Sequence, residues 1–362
     1  MTTKARSQIE NLPPYSFANL ELTGEHDRIV QLAQNELAIA PSPGAVQAAS
    51  DAIGEMNRYS DGDHVDLRKA IAQVHHLNPE QVLCGAGSLE LMSLIATAYC
   101  DRGVDVIVSQ YGYKFFQVLS TVAGANLHVV PEPDMQVDID GIGNAVNDST
   151  QIVFVVNPGN PTGACLEPGA VRELRTRIPD RVMLILDCAY GEFADGPEFE
   201  NGFNLVDEGE NIVVLRTFSK AYGLAGMRVG WGYAPHGVVS AIQKIRPPGS
   251  ITSPALAAAE AAVLDRKHLH KVCEEIAELR LEFTGMAKSL GLSVLPSATN
   301  FVLFSCPGGH PIPAEALNEK LRERGVILRP MQSYELPDHL RITIGSREEM
   351  GIVRKVFTDL LS

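Results

Sequence analysis

"QIVFVVNPGNPTGACLEPGAVRELRTRIPDRVMLILD", residues 151–187, holds two short apolar runs separated by a turn-rich loop and an amphipathic stretch. QIVFVV and VMLILD have no alternating polar face. A strand buried on both sides reads this way, because neither surface meets water. Two such strands joined through a helical segment, EPGAVRELRTRI, predict a βαβ unit with parallel strands. The pattern recurs on both sides. VLCGAG (82–87) leads into SLELMSLIATAYC, and VDVIVSQ (104–110) into YGYKFFQVLSTVAG; NLHVV (126–130), NIVVLRTF (211–218) and RVGWGYA (228–234) supply further strands. The expected fold class is therefore α/β, a mostly parallel sheet whose ligands sit beyond the carboxyl ends of its strands.

After Pro254 a long helical pattern runs to about residue 291, its length that of a connector between domains; after it come LSVLPS, NFVLFS, a helix around IPAEALNEKLRERG, then VILRP, LRITIG and a last helix from Ser346. That is a second, smaller α+β unit. The expected organisation is an N-terminal arm (1–45) packing on the small unit or on a partner, a large domain (46–250) and a small C-terminal domain (251–362). A formal charge of −14 gives the chain no electrostatic reason to bind nucleic acid or an anionic membrane. No apolar run is long enough to span a bilayer, and MTTKARSQIENLPPY lacks the apolar core of a secretory signal. The six cysteines are scattered with no CxxC pair, the usage of reduced thiols in a cytoplasmic protein. His75 and His76 are adjacent rather than four apart, so no metal site is expected from them.

The polar residues at strand ends carry the chemistry. Gly85, Gly87 and Ser88 lie between a strand and a helix, where free N–H groups and the helix dipole suit a phosphate. The dinucleotide fingerprint needs a third glycine where Glu90 stands, which argues against NAD. Asn157 is the first residue after a strand, in a loop with two Asn-Pro pairs. Asp187 ends a fully apolar strand, as a turn cap or as a buried carboxylate that needs a cation. Tyr190 follows it. In RTFSKAYGLAGMRVG (216–230), Thr217, Ser219 and Arg228 form an anion-binding set around Lys220. An amine for an aldehyde, donors for a phosphate and an acid for a ring nitrogen together fit pyridoxal 5'-phosphate.

The chain resembles the fold-type I pyridoxal-phosphate aminotransferases, and among them the histidinol-phosphate aminotransferase family. The resemblance runs through AQNELAIAPSP, RYSDGDHVDLRKAIA, GAGSLE, NPGNPTG, DCAYGEF, RTFSKAYGLAGMRVGW, TNFVLF and LRITIGSREE, in the family's order. It implies a large cofactor-binding domain with a seven-stranded sheet. It makes Lys220 the lysine that joins the cofactor, with Asp187 at the pyridine nitrogen and Asn157 and Tyr190 at the phenolic oxygen. Gly87, Ser88, Thr217, Ser219 and Arg228 then hold the phosphate, and Tyr111 stacks on the ring. Tyr59 reaches the neighbouring subunit's cofactor, implying a homodimer with shared sites. Arg341, helped by Arg329, Tyr15 and Asn157, binds the substrate. The reaction implied is ping-pong amino transfer from histidinol phosphate or an aromatic or other amino acid to a 2-oxo acid, with decarboxylation of the threonine-phosphate decarboxylase type as the alternative. The sequence departs from the family pattern at Leu37–Ala38, Ser60, Leu89 and Ser109–Gln110, all on the substrate or entry side.

Overall fold

The structure is a computed structural model that describes residues 3–14, 19–22, 28–194, 196, 199–209 and 211–361. Its strands in chain order are β1 (Val30–Gln31), β2 (Val82–Gly85), β3 (Asp105–Ser109), β4 (Asn126–Val130), β5 (Thr150–Val156), β6 (Met183–Asp187), β7 (Ile212–Thr217), β8 (Gly230–Tyr233), β9 (Ser293–Val294), β10 (Phe301–Ser305), β11 (Val326–Ile327), β12 (Arg329–Met331) and β13 (Leu336–Thr343). Seven of them form one sheet in the order β2-β8-β7-β6-β5-β3-β4. Only β8 runs against its neighbours. The carboxyl ends of β2, β5, β6 and β7 and the amino end of β8 therefore meet at one edge. Gly85, Val156, Asp187, Thr217 and Gly230 mark that edge.

Side-chain alternation divides the sheet's two faces. Val153, Val155, Leu184, Leu186, Ile212 and Val214 pack against helices Pro43–Ile53, Val65–His75, Ala170–Arg177 and Ser253–Leu264. Ile152, Phe154, Met183, Ile185, Val213 and Leu215 pack on the other side, against Ser88–Tyr99, Lys114–Ala123 and His236–Ile245. With both faces covered, continuous apolar runs are what these strands require.

The smaller unit is a four-stranded antiparallel sheet, β12-β13-β10-β9, with helices Arg266–Ser289, Ala314–Glu323 and Arg347–Leu361. Val302, Phe304, Leu340, Ile342, Phe283 and Phe357 lie in its core. The arm joins this unit: β1 pairs in parallel with β11, Val30 opposite Val326.

One expectation is corrected. The helical pattern after Pro254 is two helices, because Asp265 interrupts it and its carboxylate accepts from His268 N at 3.0 Å, starting the second. The first, Ser253–Leu264, belongs with the larger unit and not with the smaller one as a boundary at 251 implied. Ala255, Ala258, Ala259 and Ala262 share a core with Ala45 and Ala49, small residues that let two helices approach closely. The second helix bridges the units, placing Leu269 in the larger core and Val272 and Ile276 in the smaller.

Candidate active site

A cavity of about 650 Å³ opens at the strand edge between the two units. Ser88, Asp187, Tyr190, Thr217, Ser219, Lys220 and Arg228 line it from the large sheet. Arg329 and Arg341 line it from the small sheet, where they lie opposite each other on β12 and β13. Of the cavity's described residues, Lys114, Lys220, Arg228, Arg329 and Arg341 are cationic and Asp187 alone is a carboxylate.

Asp187 is buried at the end of β6. Its carboxylate accepts from Ala189 N at 3.2 Å, and burial pushes its pKa up to about 7 against a pull from Lys220. A carboxyl in this state accommodates a cation. Lys220 Nζ donates to the carbonyls of Asn35 (3.0 Å) and Gln34 (3.4 Å) and lies 5.7 Å from the centre of the Tyr190 ring. Burial, then the nearby Arg341, bring its amine down to about 8. The Tyr190 hydroxyl accepts from Asn35 Nδ2 at 2.8 Å, and burial pushes it up to about 12. Asn157 is buried with Oδ1 fixed by Leu166 N at 2.9 Å, while its Nδ2 has no partner among the described residues.

The anion cradle is equally specific. The helix Ser88–Tyr99 starts at Gly87 (φ 81°) with no side-chain cap, leaving its first N–H groups to a ligand. A Cβ on Gly87 would lie 2.6 Å from Arg228 Nη2, and one on Gly230 would lie 2.1 Å from Ser88 N. Only glycine permits this approach. Arg228 Nη1 donates to Ser219 Oγ at 3.1 Å, and Ser219 N donates to Thr217 Oγ1 at 3.1 Å. These hydroxyls and the guanidinium thus face one volume.

On the opposite wall, Arg341 donates to Asn160 Oδ1 at 2.5 Å and to the carbonyl of Ala33 at 3.0 Å, with its guanidinium 5.2 Å from the Phe301 ring centre. Asn35 connects the units. Its N–H donates to Thr343 Oγ1 at 2.9 Å, and its carbonyl accepts from Asn300 Nδ2 at 3.2 Å as well as from Lys220.

Tyr111 and Tyr59 lie away from this cavity. Tyr111 lines a second, narrow cavity beside Glu132, whose Oε1 accepts from Tyr111 N at 3.1 Å; Tyr113, two residues on, lines the main cavity in its place. The cause is local: Tyr111 packs on the small unit's Met331, Tyr334 and Leu336. Tyr59 is 98% exposed and lies outside its own chain's cavity. Tyr15 lies outside the described residues. Asn160, Lys114 and Tyr334 were not singled out from sequence, and Asn35 entered only within the family motif AQNELAIAPSP, with no role assigned. Asn160, in the second Asn-Pro pair, carried a local signal. Lys114 and Tyr334 reach the cavity through tertiary packing.

The family model for aminotransferase class I and II matches residues 27–357. A histidinol-phosphate aminotransferase of Jannaschia sp. (strain CCS1) is 37% identical over 366 residues, covering 100% of both chains. One from Ruegeria pomeroyi is 40% identical, covering 88% of this chain and 87% of that one. The crystal structure of histidinol-phosphate aminotransferase from Sinorhizobium meliloti, in complex with pyridoxal-5'-phosphate, superposes with a TM-score of 0.89 at 31% identity over 99% of each chain. A Thermus thermophilus aspartate aminotransferase shares the fold, at TM-score 0.84 and 19% identity over 99% of this chain and 100% of that one.

Proposed function

This chain belongs to the class I and II aminotransferase family, and we propose that its amino donor is histidinol phosphate and its acceptor a 2-oxo acid. It is an enzyme, and its cofactor is pyridoxal 5'-phosphate. The residues present fit that group: a buried acid raised toward neutrality, an unpartnered Asn157 amide and a glycine cradle that any Cβ would fill. When bound, the cofactor supplies an aldehyde that joins amines and a protonated ring that takes up electrons released at the α-carbon.

The protein's own groups do the rest. Ser88, Thr217, Ser219 and Arg228 would hold the phosphate. Asp187 would keep the ring nitrogen protonated, the partner its burial calls for. Asn157 and Tyr190 would donate to the phenolic oxygen. Lys220 would take the proton from the substrate's α-carbon. Its lowered pKa keeps a useful neutral fraction near pH 7, as a general base needs.

One observation carries the donor assignment. Lys114, Arg329 and Arg341 line the same cavity as the residues proposed for the cofactor, and guanidinium and ammonium groups are the side chains that recognise a substrate's phosphate. The relatives described above carry the same donor in their names. They also favour amino transfer over decarboxylation. We further infer a homodimer. Val46, Ile53, Met56, Tyr59 and Val65 are exposed apolar or aromatic residues within one short stretch, a surface that a second copy would cover. The scattered cysteines, none in a disulfide among the described residues, fit the cytoplasm.

The test is a half-reaction screen with purified holoenzyme. Histidinol phosphate is expected to convert the cofactor to its amino form faster than histidinol, phenylalanine or aspartate. Conversion by phenylalanine at a higher kcat/KM than histidinol phosphate overturns the assignment.

A further inference from the structure

Glu90 stands where a dinucleotide-binding turn would have glycine, and no step above uses it. It is the third residue of the helix Ser88–Tyr99. A glutamate at this point commonly turns back to the N-cap N–H. Here it reaches one residue further. Glu90 Oε2 accepts from Ala86 N at 2.7 Å and from Ser250 Oγ at 2.9 Å. Gly87 N is already taken by the carbonyl of Gly85 at 2.7 Å, so the turn 85–88 is closed from within and tied from behind. The carboxylate can come this close because Gly85 has no side chain: a Cβ there would lie 3.0 Å from Glu90 Oε2.

We infer that Glu90 is a positioning residue for the cofactor's phosphate, fastening the turn that presents the Ser88 end of the helix to the loop at Ser250. A carboxylate near an anion cradle cannot attract a phosphate, so what it contributes is geometry. The turn has little room for error. It is wedged between Arg228 and Gly230, with neither Gly87 nor Gly230 able to carry a Cβ. The loop at Ser250 is itself anchored to the segment that bears Tyr59. Ser60 Oγ donates to the carbonyl of Ile251 at 2.6 Å, and a Cβ on Gly249 would lie 3.6 Å from Tyr59 Cδ1. The bond between Glu90 and Ser250 thus joins a chain's own phosphate turn to the segment it offers a second copy.

The inference rests on the cofactor and not on the identity of the donor, and its test uses no amine substrate. Equilibrium dialysis of the cofactor-free protein measures binding of pyridoxal 5'-phosphate and of pyridoxal, which lacks the phosphate. Glu90→Met is expected to weaken the phosphorylated ligand about tenfold or more, the value of hydrogen bonds to a charged group. Pyridoxal affinity is expected to stay within about twofold. Glu90→Gln keeps an acceptor oxygen and restores most of the loss. Ser250→Ala removes one of the two bonds, gives a smaller loss with the same selectivity, and stands in if the methionine variant does not fold. Equal weakening of both ligands, or no weakening of the phosphorylated one, overturns the inference. A wild-type protein that binds neither ligand would instead remove the cofactor assignment.

Discussion

Asp187→Asn is expected to stabilise the cofactor-free protein at high pH and to leave it unchanged in acid. Asp187 is 4% exposed, and burial lifts its carboxyl from 3.8 to about 7. The folded chain therefore keeps a proton that the unfolded chain has released between those values. A folded pKa above the unfolded one gives stability that is present below about pH 4 and lost as pH rises through 7. The gap of about three pH units corresponds to roughly 4 kcal/mol, at about 1.4 kcal/mol each. An amide does not titrate, so the variant escapes this loss. The assay is urea unfolding of cofactor-free wild type and variant across pH 4.5 to 8.5, both above the ordinary carboxylate range. The stability difference should grow with pH in favour of the variant, and saturating pyridoxal 5'-phosphate should reverse its sign by supplying the missing cation to the wild type alone. A difference that stays constant across that range would refute the reasoning, because Asp187 would then be ionised and already paired.

Gly87→Ala should abolish measurable pyridoxal 5'-phosphate binding in dialysis, since its Cβ meets Arg228 Nη2 at 2.6 Å on a backbone of positive φ. Arg341→Leu should raise KM for histidinol phosphate far more than it lowers kcat, and Arg329→Leu should do so less, because Arg341 is buried and held by Asn160 and Ala33 whereas Arg329 is half-buried; steady-state kinetics separates them. Tyr59→Phe should loosen the cofactor about tenfold, one hydrogen bond to a charged group, and at limiting cofactor mixed dimers of Tyr59→Phe with Lys220→Ala subunits should exceed the mean activity of the two parents, because one site then carries neither lesion. Mixed dimers with only the parents' mean activity would place Tyr59 in its own chain's service.

The strands of the large sheet were legible because burial on both faces leaves an unbroken apolar run, as in VMLILD and NIVVLRT. The residues proposed to hold the cofactor stand out for a related reason. Asp187, Thr217 and Lys220 are polar interruptions at the ends of such runs, and chain position alone puts them at the sheet's carboxyl edge. The residues across the cleft carried no such mark. Asn35 sits in a coil segment, and its role comes from Tyr190, Thr343 and Lys220, each more than 150 residues away. The side on which a helix packs was also illegible. Ser253–Leu264 is rich in alanine all round, so its sequence shows no preferred face, and the contact with Ala45 and Ala49 decides its place. Tyr111 and Tyr113 are two residues apart in a glycine-containing turn, and periodicity cannot say which faces the cavity.

Among the described residues, five lysine and arginine side chains line the cavity, and two of them, Lys114 and Lys220, are amines able to join an aldehyde. Borohydride reduction of the holoenzyme, followed by digestion and peptide mapping, shows which one does. The cofactor should be found on Lys220 alone, and Lys220→Ala protein should bind it without fixing it. Cofactor fixed to Lys114, or to any lysine other than Lys220, would contradict the assignment of the strand-end lysine on which the whole site is built.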